Sequence, residues 1–545
     1  MIEISNLKFR ILEIDRLCVP NGITCIIGEN GSGKSTLARL LCGYYEAKTG
    51  SILADGAPVR SLDTGYVPEF FDNGIIFENV ADEITSPLRF AFETPEKIAE
   101  KLSAAAELIG IADLTDKETR NISGGEKACV ALATAIISSP RILVLDEPDS
   151  HLDRETTKRI MAALKGLHGS ALYANADATN AEDKATVLGH KDSPYIIHCT
   201  QNMDIAADAD FLIFMEKGRI KYSDSPSAVF EKLKLQGSPF LPTKMRIDAA
   251  VGKAANATAD TSEIAEFPAF AETAANASDA CAEIPQKLEL KGLKISRGGF
   301  TLNADAVFGS GVHIITGRTG SGKSTLAYAL SESGLAEVAE GVVSSEGLEK
   351  RVFLMQFASY HITQATVEKE IISWGRTAEE TEKILKYLGL AERRNFDPAK
   401  LSAGELKRLH LSCILSGDAD LIILDEPFST LDIVRKEEFA SCPLFSAAGS
   451  CGRPKIIIIF THEKTVLPHA DRIWEIKDNR LVYLGKASET QTLKNWNGAP
   501  EYIGYALSKG AALRGATFAD AVRGIGEIAV EEDASAHGMN GGDKQ

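Results

Sequence analysis

Short, unbroken apolar runs punctuate this 545-residue chain, and several end on a glycine or a carboxylate. Ile23–Ile27 is rich in β-branched residues and free of charge, which predicts a strand buried on both faces. A glycine-rich loop follows it, and Leu37-Ala38-Arg39-Leu40-Leu41 then has helical character. Val312–Thr316 opens the same succession a second time. Ile142–Leu145 and Leu421–Leu424 run straight into Asp146 and Asp425, so each aspartate closes a predicted buried strand. Ile456–Phe460 also has strand length, and no run approaches the roughly 18–20 residues that cross a bilayer.

These runs belong to an internal repeat. Gly28-Glu29-Asn30-Gly31-Ser32-Gly33-Lys34-Ser35-Thr36 recurs as Gly317-Arg318-Thr319-Gly320-Ser321-Gly322-Lys323-Ser324-Thr325. Ser123-Gly124-Gly125-Glu126 recurs as Ser402-Ala403-Gly404-Glu405, and Leu145-Asp146-Glu147-Pro148 as Leu424-Asp425-Glu426-Pro427. Ser123 and Asp146 are 23 positions apart, as are Ser402 and Asp425. Three motifs in one order mean a duplicated domain, here assigned to residues 1–236 and 288–497. Residues 237–287 are dominated by small and acidic residues and are read as a flexible linker, with a docked helix as the alternative. Residues 498–545 form a C-terminal tail whose last dozen residues are expected to be disordered. Residues 166–192, without a counterpart in the second half, are expected to be a surface loop.

Composition narrows the function. The formal net charge of −17 makes the chain a poor phosphate-neutralising nucleic-acid binder. Nine cysteines include no Cys-x-x-Cys pair, which argues against zinc ribbons and iron–sulfur ligation. Cys25, Cys42, Cys129 and Cys413 read as packed, reduced thiols of a cytosolic protein. The N-terminal Met1-Ile2-Glu3-Ile4 lacks the basic and apolar regions of a secretory leader.

The motifs carry phosphate chemistry. Strand, Gly-x-x-x-x-Gly-Lys-Ser and helix form a phosphate-binding loop, in which Gly28, Gly31 and Gly33 admit the backbone to the phosphates. Gly317, Gly320 and Gly322 repeat them. Lys34 and Lys323 reach the β- and γ-phosphates, and Ser35 and Ser324 offer hydroxyls to Mg²⁺. Asp146 and Asp425 end strands where a parallel sheet presents ligands to Mg²⁺, directly or through water. Glu147 and Glu426 are placed to polarise an attacking water, a role that contributes roughly 10²–10⁴-fold to a rate.

Ser-Gly-Gly-Glu upstream of Leu-Asp-Glu-Pro, followed by Ser150-His151-Leu152-Asp153, resembles the ATP-binding cassette of ABC proteins; Ser429-Thr430-Leu431-Asp432 is its repeat. The resemblance implies an α/β fold of two P-loop cassettes, each a mixed β core with an inserted helical subdomain. It implies ATP and Mg²⁺ as cofactors, with Asn30, Thr36 and Thr325 in the loops that hold ATP. His198 and His462, each after a β-rich run and before Ala-Asp, resemble the family's switch histidine. Two ATPs are expected head to tail, each between one cassette's phosphate loop and the other's signature, Ser123-Gly124-Gly125 or Ser402-Ala403-Gly404. Gln356 occupies the family's Mg²⁺-side glutamine position, and Glu69 stands there in the first half.

Thr366-Val367-Glu368-Lys369-Glu370-Ile371, soon after Gln356, resembles the ATPases of energy-coupling-factor importers for vitamins or metal ions. The partners implied are a transmembrane coupling protein and a substrate-binding membrane protein, with the chain peripheral on the cytoplasmic face. The competing resemblances are a ribosome-associated ABC translation factor and a tandem sugar-importer ATPase. The acidic linker and net charge argue against the first, and no nucleic-acid partner is expected. The two sites are expected to be unequal. Glu69 adds negative charge near the γ-phosphate, and Ala403 puts a methyl where backbone approaches phosphate, at a position where φ > 0 would be costly.

Overall fold

Two units account for the chain in the computed structural model, Met1–Pro242 and Thr243–Gln545. The structure describes residues 1–59, 64–71, 74–168, 194–256, 286–297, 300–331, 336–417, 419–442, 445 and 455–538. The surface loop expected over 166–192 lies outside the described residues from 169 onward, as does the expected linker from 257 to 285.

In the first unit, Ile2–Phe9 and Leu12–Val19 pair antiparallel and alternate in burial. Ile2, Ile4, Leu7, Leu12, Ile14 and Leu17 face the core, as period-two patterning requires. Thr49–Ala54 and Ala57–Pro58 complete this sheet. A second sheet orders Arg219–Asp224, Phe211–Glu216, Gly22–Gly28, Tyr195–Cys199, Ile142–Asp146 and Thr64–Val67. Only its first pair is antiparallel. Gly22–Gly28, Ile142–Asp146 and Tyr195–Cys199 are buried at every position, which is why they read as unbroken apolar runs. Helices Val80–Phe90, Pro95–Ile109 and Gly124–Ile136 are inserted between Thr64–Val67 and Ile142–Asp146.

The second unit repeats this plan in one nine-stranded sheet, because Phe300–Gly309 and Arg480–Lys486 touch at the single parallel pair Asn303 and Arg480. Its parallel core orders Arg472–Lys477, Gly311–Gly317, Ile456–Phe460, Leu421–Asp425 and Arg351–Leu354. Helices Val367–Ser373, Ala378–Leu388 and Ala403–Leu415 form its insert. Both units are mixed α/β, as the repeat predicted.

Two expectations change. The stretch read as linker carries a helix, Thr243–Asn256, whose Ile247 lies in the second unit's core with Val251 packed against it. The tail carries Glu501–Ser508 and Phe518–Gly538, with Tyr502, Ile503 and Ala506 in the same core, so helix reaches into the stretch expected to be disordered. Small, alanine-rich composition reads as disorder, but alanine is also the strongest helix former, and a few apolar anchors suffice to dock such a helix. Arg246 fastens the first of these helices. Its guanidinium donates to Glu437 at 3.1 Å and to the Thr465 carbonyl at 3.4 Å, and it stacks 4.1 Å from the Phe518 ring centroid. Arg246→Ala removes two hydrogen bonds and a cation–π contact from a buried side chain, and lowers the second unit's stability by about 2 kcal/mol. Urea unfolding of the full chain checks this, and an unmoved transition would show the helix to be dispensable.

Candidate nucleotide sites

Gly33 and Gly322 precede helices Lys34–Leu41 and Lys323–Leu330 in left-handed conformation, at φ 102° and 98°. A Cβ there would lie 2.6 Å from Leu12 Cδ2 or from Phe300 Cε1, so glycine is required twice over. Lys34 Nζ folds back to the carbonyls of Gly28 at 2.9 Å and Glu29 at 3.1 Å. Lys323 does the same with Gly317 at 2.9 Å and Arg318 at 3.2 Å. Asn30, Gly31 and Gly320 are exposed on the loops, while Ser35, Thr36, Ser324 and Thr325 occupy the helices' first turns. Each loop therefore closes around its lysine beside a helix N-terminus, an arrangement suited to phosphate.

Strand register brings the acidic residues alongside. Asp146 pairs with Cys199 and Asp425 with Phe460, on the strands next to them. Glu147 and Glu426 follow at φ 52° and 47°, left-handed values that cost a non-glycine residue about 1–2 kcal/mol. Both strand-end aspartates are buried. One oxygen of Asp146 and both of Asp425 have no hydrogen-bond partner among the described residues. Burial and the neighbouring Glu426 push the Asp425 carboxyl up to about 6, against the pull of the nearby Ser324 hydroxyl and of Lys323 and Lys407. The first unit differs. Tyr66 donates to Asp146 Oδ2 at 2.9 Å, and Arg39 stands 3.8 Å from the same oxygen.

The glutamates are held differently too. Glu426 receives His462 Nδ1 at 2.5 Å, the His462 backbone N–H at 3.2 Å and the Thr461 hydroxyl at 3.2 Å, with Lys323 at 3.9 Å. Burial alone would raise its pKa, but His462 and Lys323 hold it down to about 2. Glu147 instead lies 3.3 Å from Lys34 Nζ and accepts from Gln201 Nε2 at 3.1 Å. Gln201 also donates to Asn30 at 3.1 Å.

His198 is therefore not the counterpart of His462. It sits inside the strand, opposite Leu145, where the second unit places Ile459 opposite Leu424. It is 1% exposed, and its Nε2 donates to Asp149 Oδ1 at 2.9 Å. Gln201 occupies the position equivalent to His462. The signal was in the spacing: Gln201 precedes Ala209-Asp210 by the same eight positions that separate His462 from Ala470-Asp471. Both aspartates accept from the strand that leads into the phosphate loop, Asp210 from Ile23 and Asp471 from Val312, which confirms that alignment.

Ser123 and Ser402 cap helices Gly124–Ile136 and Ala403–Leu415 through reciprocal capping boxes with Glu126 and Glu405. Gly124, Gly125, Ala403 and Gly404 lie in the first turns. Ala403 does not have positive φ, so the backbone strain expected there is absent and only its methyl distinguishes it from Gly124.

Gln356 is half-buried just after Arg351–Leu354. Its carbonyl accepts from Lys407 Nζ at 2.7 Å, and burial pulls that lysine down to about 8. Glu69 takes the corresponding place after Thr64–Val67. Burial, then Glu147 and Asp146, push its carboxyl up to about 8. Burial and the two neighbouring carboxylates thus oppose the negative charge expected at Glu69, and the protonated form they favour can donate a hydrogen bond as an amide does.

The comparisons agree with this geometry. A family described as ABC transporter matches residues 13–150 and 306–429. The chain is 26% identical over 524 residues to an ABC transporter ATP-binding protein of Sulfurisphaera tokodaii, covering 89% of this chain and 96% of that one. It is 28% identical over 248 residues to the energy-coupling factor transporter ATP-binding protein EcfA1 of Streptococcus pneumoniae, covering 43% of this chain and 82% of that one. A chain in the crystal structure of an archaeal ribosomal stalk protein with an archaeal ribosome recycling factor matches at TM-score 0.51 and 18% identity. That match covers 88% of this chain and 89% of that one, and shows a shared fold. Paired phosphate loops, strand-end carboxylates and capped signature helices define a two-cassette P-loop ATPase. Two segments of the chain match the ABC transporter family, so it carries two ABC-type ATPase cassettes in tandem.

Glu69 makes the first site sensitive to alkaline pH. A raised carboxyl pKa keeps the proton below about pH 8 and loses it above, adding a charge that repels phosphate. ATP affinity of the Lys34 loop, measured with a fluorescent ATP analogue in Lys323→Ala protein, is expected to fall roughly fivefold between pH 7 and 9. Glu69→Gln flattens that dependence, and a fall that survives Glu69→Gln would assign it elsewhere.

Proposed function

We propose that the chain is the energy-coupling ATPase of an importer of the energy-coupling-factor type, taking up vitamins or metal ions. The observation that carries this reading is a set of exposed apolar side chains in the segment that follows Glu69: Ile76 is 83% exposed, Phe90 71% and Phe92 93%. Three large apolar side chains held in water suit an apolar protein partner better than RNA. The similarity to EcfA1 and the net charge of −17 point the same way. A transmembrane coupling protein is the partner in this reading, and a substrate-binding membrane protein selects the solute. No described helix is long and apolar enough to cross a membrane, so the partners bring the chain to the cytoplasmic face. Phe90→Ser with Phe92→Ser is expected to release the chain from the membrane fraction at unchanged ATPase rate. Sedimentation with ribosomes and not with membranes would favour a translation factor.

In the catalytic cycle we propose, the cassettes pair head to tail. The Lys34 loop meets Ser402-Ala403-Gly404, and the Lys323 loop meets Ser123-Gly124-Gly125. Asp146 and Asp425, with buried oxygens lacking partners, fit Mg²⁺, together with Ser35, Glu69, Ser324 and Gln356. When bound, Mg²⁺ neutralises charge developing on the phosphates. Glu147 and Glu426 accept a proton from the attacking water, and His462 holds Glu426 ionised and oriented. ADP and inorganic phosphate are released as the cassettes part.

Two predictions follow from the pairing. Replacing Lys34 and Lys323 together by alanine abolishes turnover, since each lost charge-assisted phosphate contact costs about 1.5–3 kcal/mol. Glu426→Gln removes most of the steady-state rate and Glu147→Gln much less, each with ATP binding intact. Equal losses would show two equivalent sites.

A further inference from the structure

The duplicated units carry one exchange of partners that the ATPase reading leaves unexplained. In the second unit, Phe428 and Ile459 are buried apolar residues, and the Thr461 hydroxyl donates to Glu426. At the same two positions the first unit has Asp149 and His198, both buried and bonded to each other. Asp149 Oδ2 then accepts the Thr200 hydroxyl at 2.7 Å, and Thr200 is the counterpart of Thr461. A hydroxyl has one proton to give, so a threonine that donates to Asp149 does not donate to Glu147. Glu147 lies instead against Lys34 Nζ, 3.3 Å away where Lys323 and Glu426 are 3.9 Å apart.

We propose that Asp149, anchored by His198, is a positioning residue that takes the Thr200 hydroxyl from Glu147 and so makes the Lys34 site one that binds ATP normally and hydrolyses it slowly. The proposal rests on Glu147 being that site's general base. Burial opposes the ionised form of Asp149, but His198 and Thr200 lower its pKa, so it stays a carboxylate that only accepts. The arrangement acts on the orientation of Glu147 and leaves the loop that binds phosphate untouched, so it affects kcat and spares KM.

The test uses the full chain carrying Glu426→Gln, where remaining turnover comes from the first site. Lys34→Ala in that background abolishes the residual rate; a rate that survives it overturns the site assignment beneath the proposal. Asp149→Phe with His198→Ile installs the second unit's pair and frees Thr200. It is expected to raise kcat roughly tenfold, the worth of one hydrogen bond to a charged group, with KM within twofold. Intact ATP binding with kcat unchanged overturns the proposal. Asp149→Asn preserves volume and an acceptor for Thr200, and is the second variant should the double one fail to fold. Its kcat stays at the parent value, and a tenfold rise would overturn the proposal by showing charge, not the hydrogen bond, to be the cause.

Discussion

One backbone hydrogen bond beyond the end of a parallel ladder organises each site. Glu147 N–H reaches the Cys199 carbonyl at 3.0 Å, and Glu426 N–H reaches Phe460 at 2.8 Å. Making that bond forces the glutamate into positive φ, and the strand pairs, buried along their whole length, hold it there. The strain turns two successive carboxylates apart. The aspartate stays in the sheet's plane of ligands, and the glutamate swings toward the residues that follow the neighbouring strand. Whatever stands at Thr200-Gln201 or Thr461-His462 then decides how the glutamate is held.

The backbone is thus shared, and chemistry differs through side chains alone. In the second unit the glutamate has three donors from one short segment, and the aspartate, which has no tyrosine beside it, is raised in pKa by burial and by Glu426. In the first, each carboxylate is engaged by a partner its counterpart lacks: Asp146 by Tyr66, Glu147 by Gln201, Asp149 by His198. The second unit has Phe353 where the first has Tyr66, which removes the donor to the aspartate. A buried carboxylate with satisfied hydrogen bonds is more stable and less available, whereas one left unpaired has most to gain from a cation.

The fold was legible because its core strands are apolar on both faces, so that runs such as Ile142–Leu145 and Ile456–Phe460 stand out without an alignment. Phosphate loops were legible because glycine is obligatory where φ is positive and space is lacking. The switch position was not read correctly, because a histidine is conspicuous and a glutamine is not. His198 attracted the assignment three residues early, inside a strand whose register excludes it from the site. Asp149 was invisible for another reason: its meaning depends on a residue 49 positions away, and sequence spacing does not show a cross-strand contact. The docked helix Thr243–Asn256 ranks only as the alternative to a linker in the sequence because its few anchors, Arg246 and Ile247, are diluted among alanines.

The distribution of the departures carries the last step. Glu69, Asp149 and Gln201 all alter the Lys34 site within the first unit, while Gln356, Phe428 and His462 leave the Lys323 site with its expected set. The one departure in the second unit's signature, Ala403, falls on the motif that the proposed head-to-tail pairing would assign to the Lys34 loop. Independent drift would scatter such changes over both sites. Their concentration on one is what a fused chain permits, since a substitution in a homodimer appears in both sites at once. Fusion lets one site keep the donors that orient a base while its partner exchanges them for contacts that quiet it. The shared strand-end geometry allows both outcomes on one backbone.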